Sequence, residues 1–205
     1  MPILAGGLPC WPGSTPFQVR ERLRIRRGDG CDDSEVSMSI HTGTHIDAPS
    51  HFVAGAPTVE HVSLDALNGV CEVISYDGDG NIAADWLEAN VQSPAGRRLL
   101  FRTSNSWNWG PDFQEDFIGF TVDGAVWLAK NSVKLVGIDY LSVQPYGESD
   151  DVHRALLSAA VPVLEGLILK DAPAGIYNLY CLPLRLEGLE GAPARALLRP
   201  HLEEP

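Results

Sequence analysis

The sequence is short of cysteine and of positive charge. Its four cysteines, Cys10, Cys31, Cys71 and Cys181, are scattered through 205 residues without a Cys-x-x-Cys pair. That density is far below a disulfide-stapled scaffold, so they read as free, buried thiols of a chain in a reducing cytoplasm. Lys and Arg number 15 against 27 Asp and Glu, a formal charge of −12. This balance excludes a generic nucleic-acid binder, which needs cations to displace counterions, and argues against an anionic membrane surface. Long apolar runs are missing too, and none approaches the roughly 20 residues of a membrane helix. The opening Met1-Pro2-Ile3-Leu4-Ala5-Gly6 has no basic segment ahead of an apolar core, so no secretory signal is read. One reading of the acidic excess stays open: a bound cation answers some of the carboxylates.

What is present describes an ordinary globule, 44% hydrophobic and 20% charged. The length fits one domain over residues 1–205, large enough to fold without disulfides or a structural metal. Alternation and turn signals predict strands over Phe17–Ile25, Val36–Ile40, Val70–Tyr76, Arg98–Arg102, Lys134–Ile138, Leu164–Leu169 and Ile176–Leu182. Helical spacing and caps predict helices over 81–90 (Asn81 as cap), 121–130 (Thr121 as cap) and 151–161. Strands interspersed with helices make the fold class mixed α/β.

The informative stretch is His41-Thr42-Gly43-Thr44-His45-Ile46-Asp47-Ala48-Pro49-Ser50-His51-Phe52. Three imidazoles and a carboxylate crowd together there, and these are preferred ligands of zinc and similar ions. His41, His45 and Asp47 share one face of an extended chain. Four residues of straight strand span about 13 Å, too far for two ligands that each sit about 2 Å from one ion. The chain must bend between the histidines, and Gly43 is the residue able to bend it. The expected context is strand, glycine kink, then loop. His61 and His201 have no such company and read as surface residues.

The pattern His-x-Gly-Thr-His-x-Asp-x-Pro-x-His-Phe resembles the signature of the metal-dependent cyclase-like hydrolases, which include bacterial kynurenine formamidase and isatin hydrolase. Every fixed position is met between His41 and Phe52. Trp11-Pro12-Gly13, Arg102-Thr103, Gly137-Ile138-Asp139, and His153 with Glu165 twelve residues on are similar to further landmarks of that family. The resemblance implies a swivelling β/β/α fold, a mixed sheet partly closed like a barrel with flanking helices, and a homodimer or tetramer. It implies that His41, His45 and Asp47 hold a first metal. Asp47 would bridge to a second, completed by His153 and Glu165. His51 would be the catalytic acid/base, and Trp11 would line the substrate pocket. Zinc is the implied metal, one or two per chain, with manganese the alternative used by isatin hydrolase. The implied substrate is a small aromatic amide, N-formyl-L-kynurenine first, and a cyclic amide such as isatin second. A non-enzymatic metal binder is the alternative of another class. The segment Tyr140-Leu141-Ser142-Val143-Gln144-Pro145 departs from the family, which often carries Pro-Ser and a further Asp there.

Elementary chemistry is compatible with these roles. A carboxylate offers two oxygens and can bridge two cations, and a divalent ion lowers the pKa of a water to about 7. A histidine can then move protons to a leaving nitrogen. No Gly-x-Ser-x-Gly elbow occurs, so a serine-hydrolase route lacks support. Glu165 lies inside the apolar run Val163–Ile168, a costly place for a carboxylate without a partner. Trp107 and Trp109 sit in a polar loop, where packing outweighs stacking on an aryl substrate as their expected role. Asp139 reads as a turn former or an indirect contributor, not a ligand.

Overall fold

The computed structural model describes residues 2–201. Its strands are β1 (Gln18–Leu23), β2 (Asp33–Ser37), β3 (His45–Asp47), β4 (Gly69–Ser75), β5 (Arg98–Arg102), β6 (Leu135–Ile138), β7 (Val163–Glu165), β8 (Gly175–Pro183) and β9 (Gly191–Pro200). Its helices are α1 (Leu64–Leu67), α2 (Ala84–Asn90), α3 (Val122–Lys130) and α4 (Asp151–Ser158). Seven strands form a closed barrel in the order β3-β7-β6-β5-β4-β8-β9. Strands β4 to β7 pair in parallel, while β3, β8 and β9 run antiparallel to their neighbours. The expected partly closed sheet is therefore a complete barrel within a single α/β domain. Closure removes the unpaired edges that an open sheet would leave. Strands β1 and β2 stand apart as an exposed hairpin.

Alternation along the strands builds two cores. In β5, Leu99 and Phe101 pack against the helices, whereas Leu100 points into the barrel. Leu87 of α2, Leu128 of α3 and Leu156 of α4 complete the outer core. Ile46, Val73, Leu164 and Leu179 fill the barrel interior. Cys71 and Cys181 are buried, Cys10 is half-buried and Cys31 is exposed, so burial holds for only two of the four free thiols.

Several boundaries differ from expectation, each for a physical reason. Thr121 caps α3 as expected, its Oγ1 accepting from Gly124 N–H. Asn81 is not a cap: its Oδ1 accepts from Gly119 N–H, and α2 starts at Ala84 after Ile82 bridges to Phe120. Helix α4 stops at Ser158, short of Val161, where Ala160 takes φ 57°. Strand β2 ends at Ser37, and its residues pair only with β1. Strand β9 is not expected from the sequence. Its alanines and Pro193 give no strand signature, yet Pro193 stands opposite His45 in the ladder.

Strand β7 was expected to continue to Leu169 but ends at Glu165, because Gly166 turns with φ 69°. Gly43 also has positive φ, 67°. The two glycines meet back to back, with Thr44 Oγ1 donating to Gly166 O at 2.7 Å. A Cβ on Gly166 would overlap the Gly43 carbonyl. Gly166→Ala combines a disfavoured backbone with overpacking, so it should destabilise by roughly 3 kcal/mol or more in denaturant unfolding. Unchanged stability would show that this close approach is dispensable.

Candidate metal centre

Strands β3 and β7 pair with His45 opposite Glu165 and Asp47 opposite Val163. Ile46 turns into the barrel, which puts His45 and Asp47 together on its outer wall. Helix α4 carries His153 to the same place, because Val152 and Leu156 pack into the core on either side of it. His41 arrives from the turn that precedes β3. The bend between His41 and His45 does fall at Gly43, but the strand follows the bend instead of leading into it.

All five expected ligand residues converge. His41 Nδ1 lies 2.8 Å from Asp47 Oδ1, and His45 Nε2 lies 3.4 Å from the same oxygen and 3.2 Å from Glu165 Oε2. His153 Nε2 is 3.6 Å from Asp47 Oδ2 and 3.2 Å from Glu165 Oε1. Two ligand groups result, His41-His45-Asp47 and Asp47-His153-Glu165, and Asp47 belongs to both. Within each, the donor atoms lie within 4.8 Å of one another.

These residues fit a cation better than they fit each other. Both Asp47 oxygens and His45 Nε2 are buried yet make no aligned hydrogen bond, despite their short separations. Buried polar atoms are nearly always partnered, and converging lone pairs of this kind are the donor set of a divalent ion. Glu165 is anchored separately, its Oε1 accepting from Val143 N–H at 2.7 Å.

His51 ends a short turn, Pro49–His51, and stacks on His41 with ring centres 4.2 Å apart and planes at 25°. It touches the His153 ring edge-on at 5.9 Å. Both His51 and His153 border a cavity of about 310 Å³ whose apolar walls include Leu8, Trp11, Phe17 and Leu141. Trp11 is thus at the cavity, held edge-to-face against Phe113 and Tyr146. Trp107 is elsewhere: it is 61% exposed and lies under the Arg102 guanidinium. Trp109 packs on Tyr140. Asp139 is a structural hub that accepts from the backbone and hydroxyl groups of Thr103 and Ser106. His61 and His201 are exposed, as expected.

Three neighbours of the site carry no role in the sequence analysis, although Phe52 closes the signature there. Phe52 stacks on His153 at 4.5 Å with planes at 18°. Gln144 Oε1 lies 3.3 Å from His153 Nδ1. Glu190 Oε1 lies 3.7 Å from His41 Nε2. Gln144 appears in the sequence analysis only within the stretch 140–145 that departs from the family pattern. Glu190 carried no signal, because β9 itself was invisible.

Charge and burial set the protonation of the metal-free cluster. Burial disfavours imidazolium at His45 and His153, but Asp47 and Glu165 outweigh it and lift these histidines to about 10 and about 9. Burial would raise Asp47 and Glu165, and the adjacent histidines instead hold both below the usual carboxylate range. His51 behaves oppositely: burial pushes it below its ordinary value, so it is neutral at pH 7.

The family model "Putative cyclase" matches residues 2–145. "Cyclase-like protein 3" of Arabidopsis thaliana is 40% identical over 205 residues, covering 93% of this chain and 74% of that protein. "Cyclase-like protein 1" of Oryza sativa subsp. japonica is 43% identical over 206 residues, with 93% and 74% covered. Among solved structures, a "Potential Metal-Dependent Hydrolase With Cyclase Activity" superposes with a TM-score of 0.83 at 36% identity, covering 97% of this chain and 94% of that one. Isatin hydrolase A from Ralstonia solanacearum shares the fold, with a TM-score of 0.80 at 22% identity over 97% and 89% of the chains.

The protonation pattern predicts how metal-free protein responds to pH. Imidazolium at His45 and His153 stabilises the fold fully below about pH 6.5, and that contribution is lost as pH rises towards 9 and 10. Asp47 and Glu165 contribute above their unfolded values near pH 4, and that is lost on acidification. The melting temperature of metal-free protein should therefore fall between pH 6.5 and 9.5, while zinc-loaded protein should resist the fall because metal replaces the protons. Parallel melting curves for the two forms would refute this coupling.

Proposed function

This chain belongs to the cyclase family, and on that footing we propose that it is a metal-dependent hydrolase of a small aryl amide. N-formyl-L-kynurenine is the foremost substrate, giving L-kynurenine and formate. The observation that carries this reading is a set of three histidines and two carboxylates, all but His41 buried, beside a cavity with aromatic and aliphatic walls. The metal-dependent hydrolase among its structural relatives supports the reaction class.

In this reading His41, His45 and Asp47 hold one zinc, and Asp47, His153 and Glu165 hold a second; manganese is the alternative ion. A divalent ion there supplies Lewis-acid polarisation of the amide carbonyl and lowers the pKa of a water to about 7. The remaining work falls to the protein. Trp11 and Leu141 offer an apolar surface for the aryl ring and exclude water around it. His51, kept neutral by burial, takes a proton on a ring nitrogen from the attacking water and returns it to the departing aryl nitrogen. Stacking on His41 fixes the His51 ring for that transfer. Water adds to the formyl carbon, the C–N bond breaks, the amine leaves neutral, and the formic acid formed releases its proton to solvent as formate.

A homo-oligomer belongs to the same reading. The β1–β2 hairpin exposes Val19 and Val36 opposite one another, and a two-stranded ribbon is marginal by itself. A cytoplasmic setting is proposed on the same footing as the free thiols.

His51→Ala should retain the metal and lose roughly 10²- to 10⁴-fold in kcat. Metal loss in that variant would make His51 a ligand instead. Glu165→Ala should lower metal content from two ions per chain to one, read by elemental analysis. A panel of N-formyl-L-kynurenine and isatin, run with zinc-loaded and manganese-loaded protein, tests the substrate. Turnover of isatin alone would move the assignment to ring opening. Turnover of neither would overturn both substrates and leave another ring-opening hydrolase of the family or the non-enzymatic metal binder.

A further inference from the structure

Each ligand histidine has a second ring nitrogen that faces away from the carboxylates. For His45 it is Nδ1, which donates to the Gly43 carbonyl at 2.9 Å. For His41 it is Nε2, with Glu190 at 3.7 Å, beyond hydrogen-bonding distance and within ion-pair range. For His153 it is Nδ1, with Gln144 Oε1 at 3.3 Å. His153 and Gln144 are both buried, and Gln144 makes few other contacts: its backbone N–H donates to Ser142 Oγ and its Nε2 reaches Glu148 O at 3.5 Å.

The His153 ring needs such a partner. Phe52 stacks on its face and fixes the ring plane, but stacking does not distinguish the ring from its half-turn flip. Flipping would swap Nε2 for Cε1 and present carbon to Asp47 and Glu165. An acceptor at Nδ1 breaks this degeneracy. It also fixes the tautomer: with Nδ1 protonated towards Gln144, Nε2 keeps its lone pair for an ion. Gln144 does this with a neutral amide where a carboxylate would also fit the role, so it orients the ligand without adding charge. His41, His51 and Glu190 also bring one donor atom each to within 4.8 Å of one another, but Gln144 is bonded to none of the three among the described residues.

We propose that Gln144 is the positioning residue of the Asp47-His153-Glu165 site, setting the tautomer and ring orientation of His153 and thereby the affinity of that site for its metal. The inference rests on the assignment of His153 as a ligand made above. It concerns the second ion alone, because Gln144 is bonded to no residue of the His41-His45 pair among the described residues.

The test is competition for zinc between the full chain and a chromophoric chelator, which reads metal affinity without any substrate. Wild-type protein should release its two ions in two steps, and Glu165→Ala identifies the step belonging to the second site. Gln144→Leu should weaken that step 10- to 100-fold and leave the other within threefold. Gln144→Glu restores an acceptor, with charge, and should recover or exceed wild-type affinity at the same step. A merely structural Gln144 would instead shift the melting temperature of metal-free protein and move both steps together, or neither. If His153→Ala deletes the second step while both Gln144 variants stay within threefold of wild type, the inference is overturned and the ligand assignment stands. If His153→Ala leaves both steps intact, the ligand assignment falls, and the inference falls with it.

Discussion

Two carboxylates held together out of water are the constraint around which this molecule is organised. Asp47 is fully buried and Glu165 nearly so, so bulk solvent screens neither charge well. Desolvating an ion is expensive, and doing so for two like charges side by side is worse. Positive charge must answer them. In the metal-free chain protonated histidines do so; with divalent ions in place those histidines revert to neutral ligands. Two protonated histidines balance the two carboxylates in the metal-free cluster, and occupancy by a cation decides which residues carry protons.

The scaffold makes this arrangement through backbone register. Antiparallel pairing of β3 with β7 sets His45 directly opposite Glu165, and a one-residue slip would turn every one of these side chains to the other face. The glycine contact between Gly43 and Gly166 lets the two chains meet at the ends of their strands. Strand β9 flanks β3 on the other side, so the short strand carrying two ligands is paired along both edges. Such a strand has little freedom to relax, which suits a site whose donors repel one another.

The sequence made local chemistry legible and left long-range pairing hidden. The bend at Gly43 followed from the spacing of His41 and His45 and the reach of an ion, and its positive φ bears that out. Strand β5 is readable as a short apolar run between two arginines, and helix α3 by its helical spacing and the Thr121 cap. Strand β9 is not, because its alanines and prolines carry little intrinsic preference and only pairing makes them extended. Complete barrel closure depends on that strand, so it was hidden too. His153 and Glu165 illustrate the same divide. Glu165 shows itself as a carboxylate inside an apolar run, His153 carries no local signal, and resemblance points to the two as a metal pair. The partners behind the histidines, Gln144 and Glu190, come from segments remote from the signature, where no periodicity could announce them.

The position of the cluster behind the cavity has a consequence for traffic. Asp47 and His45 are shut in by barrel wall and helix, while the more exposed His41 and His51 border the cavity. On the reading proposed above, an ion arriving from solvent passes through the chamber that substrate would occupy, so a seated substrate would cork the route by which the ions exchange. Turnover would then shelter the metal from chelators, and a resting enzyme would be the vulnerable one.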